Sequence, residues 1–210
     1  MRQTMPPRID FAASGSARPV DNLVLSIDAA DVQSSVERAL EAARGRPPES
    51  VDKRILHATR SRDFVAALGD QLGALYEEEA DVRVFTKHDE RNRAEFGMNE
   101  LLYDVTVCRT TTVDAASSGK TLHYVTAPIW HVESELAKDS RQALFDFNKL
   151  VLGSAPLNVF VGPLVHDAAS FLDVLRTPAS CCQGRVFAAL IPHPREWDQV
   201  RQPVHCEELK

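Results

Sequence analysis

The stretch Ala127-Pro128-Ile129-Trp130-His131-Val132-Glu133-Ser134-Glu135-Leu136-Ala137 decides how this chain is read. Apolar and β-branched residues dominate it, and Pro128 stands near its start, where a missing N–H is tolerated, so the pattern predicts a strand. Side chains alternate along a strand. His131, Glu133 and Glu135 therefore share one face, and Trp130, Val132, Ser134 and Leu136 the other. The two glutamates stand about 7 Å apart at their Cα atoms, at about 3.3 Å of rise per residue. Two acids on one face of an apolar strand call for water, a counter-charge or a metal. A half-exposed sheet face supplies the first; a divalent cation would relieve their repulsion.

Working outward, Leu101-Leu102-Tyr103-Asp104-Val105-Thr106-Val107-Cys108-Arg109 predicts another strand, with Asp104 lodged inside it. Asp is poor in strands and costly to bury unpaired, which singles it out. Ala115-Ala116-Ser117-Ser118-Gly119 predicts the turn of a hairpin, and the return strand begins at Thr121. Asp104 then lies on an antiparallel neighbour of Glu133 and Glu135, in a register the loop does not fix.

Upstream, Asp63 opens a predicted helix through Val65, Leu68, Leu72, Leu75 and Tyr76, ending in Glu77-Glu78-Glu79. Glu79 extends the buried stripe, and acids at a helix C-terminus oppose the macrodipole. Val82–Phe85 predicts a short strand. Downstream, Asp139 or Ser140 caps a helix with Ala143, Leu144, Phe147, Leu150 and Val151 on one face, stopped by Gly153. Leu157–Val161 and Arg185–Ile191 are apolar strands separated by an amphipathic helix from Asp167 to Leu175. A first helix is expected after Asp28 or Asp31, through Val32, Val36, Ala39, Leu40 and Ala43, preceded by a short strand at Asn22–Ile27. The order predicts an α/β fold with a mixed central β-sheet flanked by helices.

Composition sets the frame. With 210 residues and 44% hydrophobic content, residues 23–210 are expected to form a single α/β domain, and residues 1–22, rich in Pro, Ser, Ala and Arg, a flexible N-terminal arm. The formal charge of -6 excludes a broadly basic nucleic-acid coat, though not an enzyme that touches nucleic acid through one patch. The best such patch is the cluster Arg44, Arg46, Lys53, Arg54, Arg60 and Arg62, which also reads as a solvated loop. No apolar run reaches the length of a signal peptide or a membrane span, so no membrane partner is expected. Four cysteines without a CxxC pair make a reducing, cytoplasmic setting the default. A zinc site from His193, His205 and Cys206, or from Cys181 and Cys182, lacks the spacing of a finger or ribbon. The Gly-x-Ser-x-Gly of hydrolases and a Gly-rich phosphate loop are both missing. The sequence leaves a homo-oligomer open.

From the helix at Asp63 to the strand at Leu157–Val161, about residues 63–162, the chain resembles the PD-(D/E)XK nuclease superfamily, the restriction-endonuclease-like fold. Its core is a helix, a three-stranded meander, a helix and a strand, with an acid on one strand and acid-x-Lys on the next. Asp104 matches the metal-binding Asp and Glu133 the first acid of the following motif. Glu135 stands where most members carry Lys, a variant that some restriction enzymes share. Glu79, or Glu77, would match the acid some members supply from the first helix. Lys138 follows the strand, and Lys149 lies on the next helix, from which some members supply a migrated Lys; spacing puts Lys149 outside the apolar face.

The resemblance implies a metal-dependent phosphodiester hydrolase acting on DNA or RNA. Mg²⁺ (or Mn²⁺) would be held by Asp104, Glu133 and Glu79, with Asp104, Glu133 and Glu135 as catalytic residues. The alternative is a nuclease-like fold without catalysis, serving as a binding or assembly module. The net acidity and the missing Lys favour it.

Overall fold

The computed structural model describes residues 26–47, 52–87, 90–199 and 201–210. The expected N-terminal arm lies outside the described residues, as does most of the strand expected at Asn22–Ile27.

Helix α1 (Ala29–Arg44) begins in a reciprocal cap: the Asp28 side chain accepts from the N–H groups of Ala30 and Asp31, and the Asp31 carboxylate accepts from the Asp28 N–H. Both sequence candidates for its start are thus in use. Its buried face is the expected stripe, Val32, Val36, Ala39, Leu40 and Ala43.

Helix α2 (Lys53–Ala74) corrects the expected start at Asp63. It begins ten residues earlier, where Asp52 Oδ1 accepts from the N–H groups of Arg54 and Ile55. The basic segment expected as a loop is largely the first half of this helix. Its charges hide the periodicity because Arg60 is itself buried, its guanidinium donating to Pro194 O at 2.6 Å and to both Asp198 oxygens at 2.6 and 2.7 Å. The helix stops at Ala74, so Glu77, Glu78 and Glu79 lie in the turns that follow rather than in its last turn.

Strands β1 (Val82–Thr86), β2 (Val105–Ala115) and β3 (Lys120–Ser134) form an antiparallel meander, with the one-turn helix α3 (Arg93–Phe96) between the first two. The hairpin turn falls at the expected Ala115–Gly119. Two sequence boundaries shift. Residues 101–104 are not strand, because pairing with the short β1 ends at Thr86 opposite Val105. The return is one 15-residue strand, with register shifts opposite Val107/Cys108 and Arg109/Thr110.

Helix α4 (Ser140–Val151), capped by Asp139, crosses to β4 (Leu157–Pro163). Helix α5 (Ala168–Cys181), capped by Asp167, crosses to β5 (Arg185–Ile191). A 3₁₀ turn (Pro194–Glu196) and the edge strand β6 (His205–Glu208) complete the described chain; neither was expected from sequence.

The fold is a mixed α/β structure in which one six-stranded sheet, ordered β1-β2-β3-β4-β5-β6, is flanked by helices. β3, β4 and β5 run parallel; β2 and β6 run against them. Alternation sorts the strand residues into two cores. Val105, Trp130, Val132, Val159 and Phe187 pack under α1 and α2, and Phe160, Val186, Ala188 and Leu190 pack under α4 and α5. The carboxyl ends of the three parallel strands and the start of β2 therefore share one end of the sheet, the end at which open α/β sheets bind ligands.

Candidate active site

Glu133 is the penultimate residue of β3 and points to the α4 side of the sheet, paired across the strands with Phe160. It is 1% exposed, a position that a lone carboxylate could not hold. Its partner comes from α4: Lys149 Nζ donates to Glu133 Oε2 at 3.0 Å and stands 3.0 Å from Asp146 Oδ1, one turn back on the same helix. Glu133 Oε1 is buried without a hydrogen-bond partner among the described residues. Burial, together with the nearby charge of Asp104, pushes the Glu133 carboxyl up to about 8 against the pull of Lys149. The ammonium is divided between Glu133 and Asp146, so it offsets only part of the desolvation. Burial would lower the Lys149 pKa, but its hydrogen bonds to Glu133 and Asp146 hold it above the usual lysine range, so it stays charged.

Asp104 sits immediately before β2. Its Oδ2 accepts from Ser134 N–H at 3.0 Å and from Ser134 Oγ at 2.6 Å, which ties the start of β2 to the end of β3. Glu135 lies just past the end of β3, where its backbone N–H still donates to Val161 O and its side chain accepts from Ala137 N–H. Burial raises the Glu135 pKa, the Ala137 N–H lowers it, and the charges of Asp146 and Asp104 raise it again. Three of the sequence candidates, Asp104, Glu133 and Glu135, thus meet at one end of the sheet with Lys149 and Asp146 among them.

The fourth candidate does not join them. Glu79 pairs with the guanidinium of Arg109, which also holds Asp81. Arg109 stands opposite Ala127, six residues back along β3 from Glu133, or about 20 Å at the strand rise. Glu77 lines the same distant surface as Glu79. The assignment of Glu79 as a metal ligand is therefore corrected. Its helix ends too soon, and its charge is already neutralised at the opposite end of the sheet.

His131, on the face of the two glutamates, is buried and stacks on Tyr103 with ring centroids 3.9 Å apart. Burial depresses its pKa to about 4, so it is neutral here. Tyr103 OH donates to Lys149 O at 3.1 Å, which anchors the last turn of α4 above the site. Lys138 is bonded to Glu196 at 2.8 Å. Asp146 and the full part of Lys149 were missed in the sequence. The legible signal was the spacing Asp146-x-x-Lys149 at the margin of an apolar helix face, where a long lysine stem can follow apolar surface to a buried acid.

Whether these residues suit a cation can be judged from their free oxygens. Glu133 Oε1 is buried and unpartnered, and among the described residues Asp104 takes both of its hydrogen bonds on Oδ2. Both groups are hard carboxylate oxygens, the donor type Mg²⁺ selects. Among the described residues, no group of three or more His, Cys, Asp or Glu side chains is arranged to hold a metal ion by itself. A cation here would take a carboxylate oxygen from each of two residues, with water or substrate completing its shell, as is common for Mg²⁺.

Compared with protein-family models, with curated proteins and with solved structures, the chain matches none. Among the described residues no helix is long and apolar enough to cross a membrane.

Proposed function

We propose that the chain is a metal-dependent phosphodiester hydrolase acting on DNA or RNA, built on a restriction-endonuclease-like core. The observation that carries this is Lys149. Glu135 leaves the position of the usual lysine without a cation, and Lys149 reaches Glu133 at 3.0 Å from the following helix. The element order from α2 through β1, β2, β3, α4 and β4 supports the same reading.

In this mechanism the carboxylates of Asp104 and Glu133 would hold Mg²⁺ or Mn²⁺. When bound, the cation supplies a more acidic water and neutralises charge developing on the phosphodiester. With that counter-charge beside it, the buried Glu133 carboxylate would stay ionised. Lys149, fixed between Glu133 and Asp146, presents N–H donors to the developing negative charge. Glu135, whose affinity for a proton is raised by its surroundings, accepts the proton of the attacking water. Ser134 holds Asp104 in position through both of its donors.

One observation favours a second reading, a nuclease-like fold that binds without cleaving. The Lys149 ammonium already sits between two carboxylates, an arrangement that can persist as a purely structural ion pair. Mg²⁺ and Mn²⁺ titration by calorimetry, with cleavage of plasmid DNA and labelled RNA, separates the two. A nuclease binds metal, cleaves, and stops when chelator is added. Asp104→Ala and Lys149→Met each remain folded and lose at least about a hundredfold in rate, the scale of removing one electrostatic stabiliser. Folded, monodisperse wild type that binds neither metal and cleaves nothing is a binding module.

A further inference from the structure

Both outer edges of the sheet are guarded. β1 is five residues long, and Asn92 Nδ2 caps its Val84 O at 2.6 Å. β6 is four residues long, with Glu207 and Glu208 held by Arg176 and Arg185. Short edges and charged side chains discourage a further strand. The hairpin of β2 and β3 has a third, unguarded edge. β1 leaves β2 at Arg109, and β4 joins β3 only at Trp130, so residues 110–115 and 120–129 form a two-stranded arm that runs past its neighbours. The β3 edge of this arm is free for about 20 Å from Lys120 to Thr126, and Pro128, without an N–H, marks where added pairing stops. Every second residue along such an edge turns its N–H and C=O outward.

The two faces of the arm are unequal. Thr112, His123 and Val125 lie on one, where the His123 ring meets Phe96 at 5.3 Å between centroids and stands 4.0 Å from Glu95. On the other, Thr111 is paired with Tyr124 and Val113 with Leu122. Val113 is 50% exposed, Leu122 49% and Tyr124 44%. A two-stranded ribbon is marginal by itself in water, and contiguous apolar side chains on its open face mark a contact surface.

Charge selects what covers it. From Thr110 to Thr126 the only charged residues are Asp114 and Lys120, so the arm is neutral in a chain of net charge -6. A polyanion would find one lysine and one acid there, whereas two acidic copies meet with least repulsion at this arm. The pairing is also self-consistent. A two-fold axis perpendicular to the sheet sets β3 antiparallel to β3 of a second copy, and opposed residues then share a face. About His123, this puts Leu122 opposite Tyr124 of the second copy, Thr121 opposite Val125 and Lys120 opposite Thr126. Neither Lys120 nor Asp114 faces its like.

We infer that the β3 edge of this arm pairs with the same edge of a second copy, making a four-stranded ribbon whose open face carries Leu122 against Tyr124 of that copy. The contact is small beside the roughly 1,200–2,000 Å² of a standard interface, so the dimer is weak, with Kd of about 1–100 µM. The inference is independent of the nuclease reading.

Sedimentation velocity of the full chain, from about 1 to 300 µM in about 50 mM salt, tests it. Wild type should move from the monomer mass to twice that mass. Leu122→Lys/Tyr124→Lys opposes like charges twice across the two-fold and should weaken association at least about 30-fold. The same change brings the chain closer to neutral, so a general charge effect would strengthen association instead. Leu122→Lys/Tyr124→Glu opposes a lysine to a glutamate and should associate at least about tenfold more tightly than Leu122→Lys/Tyr124→Lys. The control Phe145→Lys/Leu152→Lys, at two exposed apolar residues on and just after α4, should match wild type. Urea midpoints near that of wild type show that the variants are folded, as substitution of exposed side chains predicts. A wild type that stays monomeric throughout overturns the inference. So does association that survives Leu122→Lys/Tyr124→Lys, is not regained in Leu122→Lys/Tyr124→Glu, or is lost equally in the control. Arm-dependent binding of fluorescent DNA or RNA by a monomeric wild type would replace the second copy as the occupant.

Discussion

Glu133→Gln should remove a pH dependence of stability built into the sheet. The Glu133 carboxyl sits at about 8 in the folded chain, from an ordinary value of 4.5. Between those values the folded state keeps a proton that the unfolded state has released. Stability from this group is therefore fully present below pH 4.5 and is lost as pH rises toward 8. Keeping that proton from the ordinary value up to about 8 corresponds to roughly 5 kcal/mol at about 1.36 kcal/mol per pH unit, a ceiling that water entry and local relaxation would reduce. Gln mimics the protonated acid and does not titrate. Urea denaturation of both proteins at pH 5, 6.5 and 8 isolates the effect, since every other titrating group is common to both. His131, held neutral with a pKa of about 4, contributes the opposite slope as pH falls below 6.5, and it cancels in the difference. Glu133→Gln should match wild type or fall slightly below it at pH 5 and exceed it by several kcal/mol at pH 8. Parallel stability curves would refute the buried, proton-retaining carboxyl. With Mg²⁺ present the advantage of the variant should shrink, because a cation on Glu133 keeps it ionised and supplies the missing counter-charge.

Two substitutions test the scaffold around the site. Gly153→Ala would bring a Cβ within 2.5 Å of both His131 Nδ1 and Tyr103 Oη, so it should cost about 1–3 kcal/mol by overpacking, read as a lower urea midpoint with unchanged slope. Arg60→Ala removes the buried guanidinium that ties α2 to Pro194 O and Asp198; about 1.5–3 kcal/mol should be lost, with little change in any nucleic-acid affinity, since Arg60 is spent inside the fold.

What the sequence made legible follows from where local and long-range forces agree. The strand carrying Glu133 was readable because apolar alternation and burial coincide, and the caps Asp28 and Asp139 were readable because capping is local. Helix α2 was misjudged at its start because Arg60 is a charge consumed by a partner 138 residues away. Only the fold turns that charge into core. Glu79 failed as a ligand for a similar reason: its neutralising partner Arg109 is on another element, 30 residues on, and nothing in the helix periodicity announces it.

Lys149 shows how the same limits act at the site itself. Seen along α4 it lies off the apolar face, and a helical wheel assigns it to solvent. Its long stem lets the ammonium reach back across the sheet end to Glu133, while Asp146 at i−3 and the Tyr103 hydroxyl on its carbonyl fix the turn that aims it. A residue off the apolar stripe can thus serve a buried acid when the chain brings that acid to the helix margin. Here the acid is brought by the length of β3, which ends one residue after Glu133, and by Asp104, whose bonds to Ser134 fix that end. The carboxylate, the second acid and the ammonium come from β3, the loop before β2, and α4. Their meeting is a property of the meander and the crossover together, which is why no single stretch of sequence could contain it.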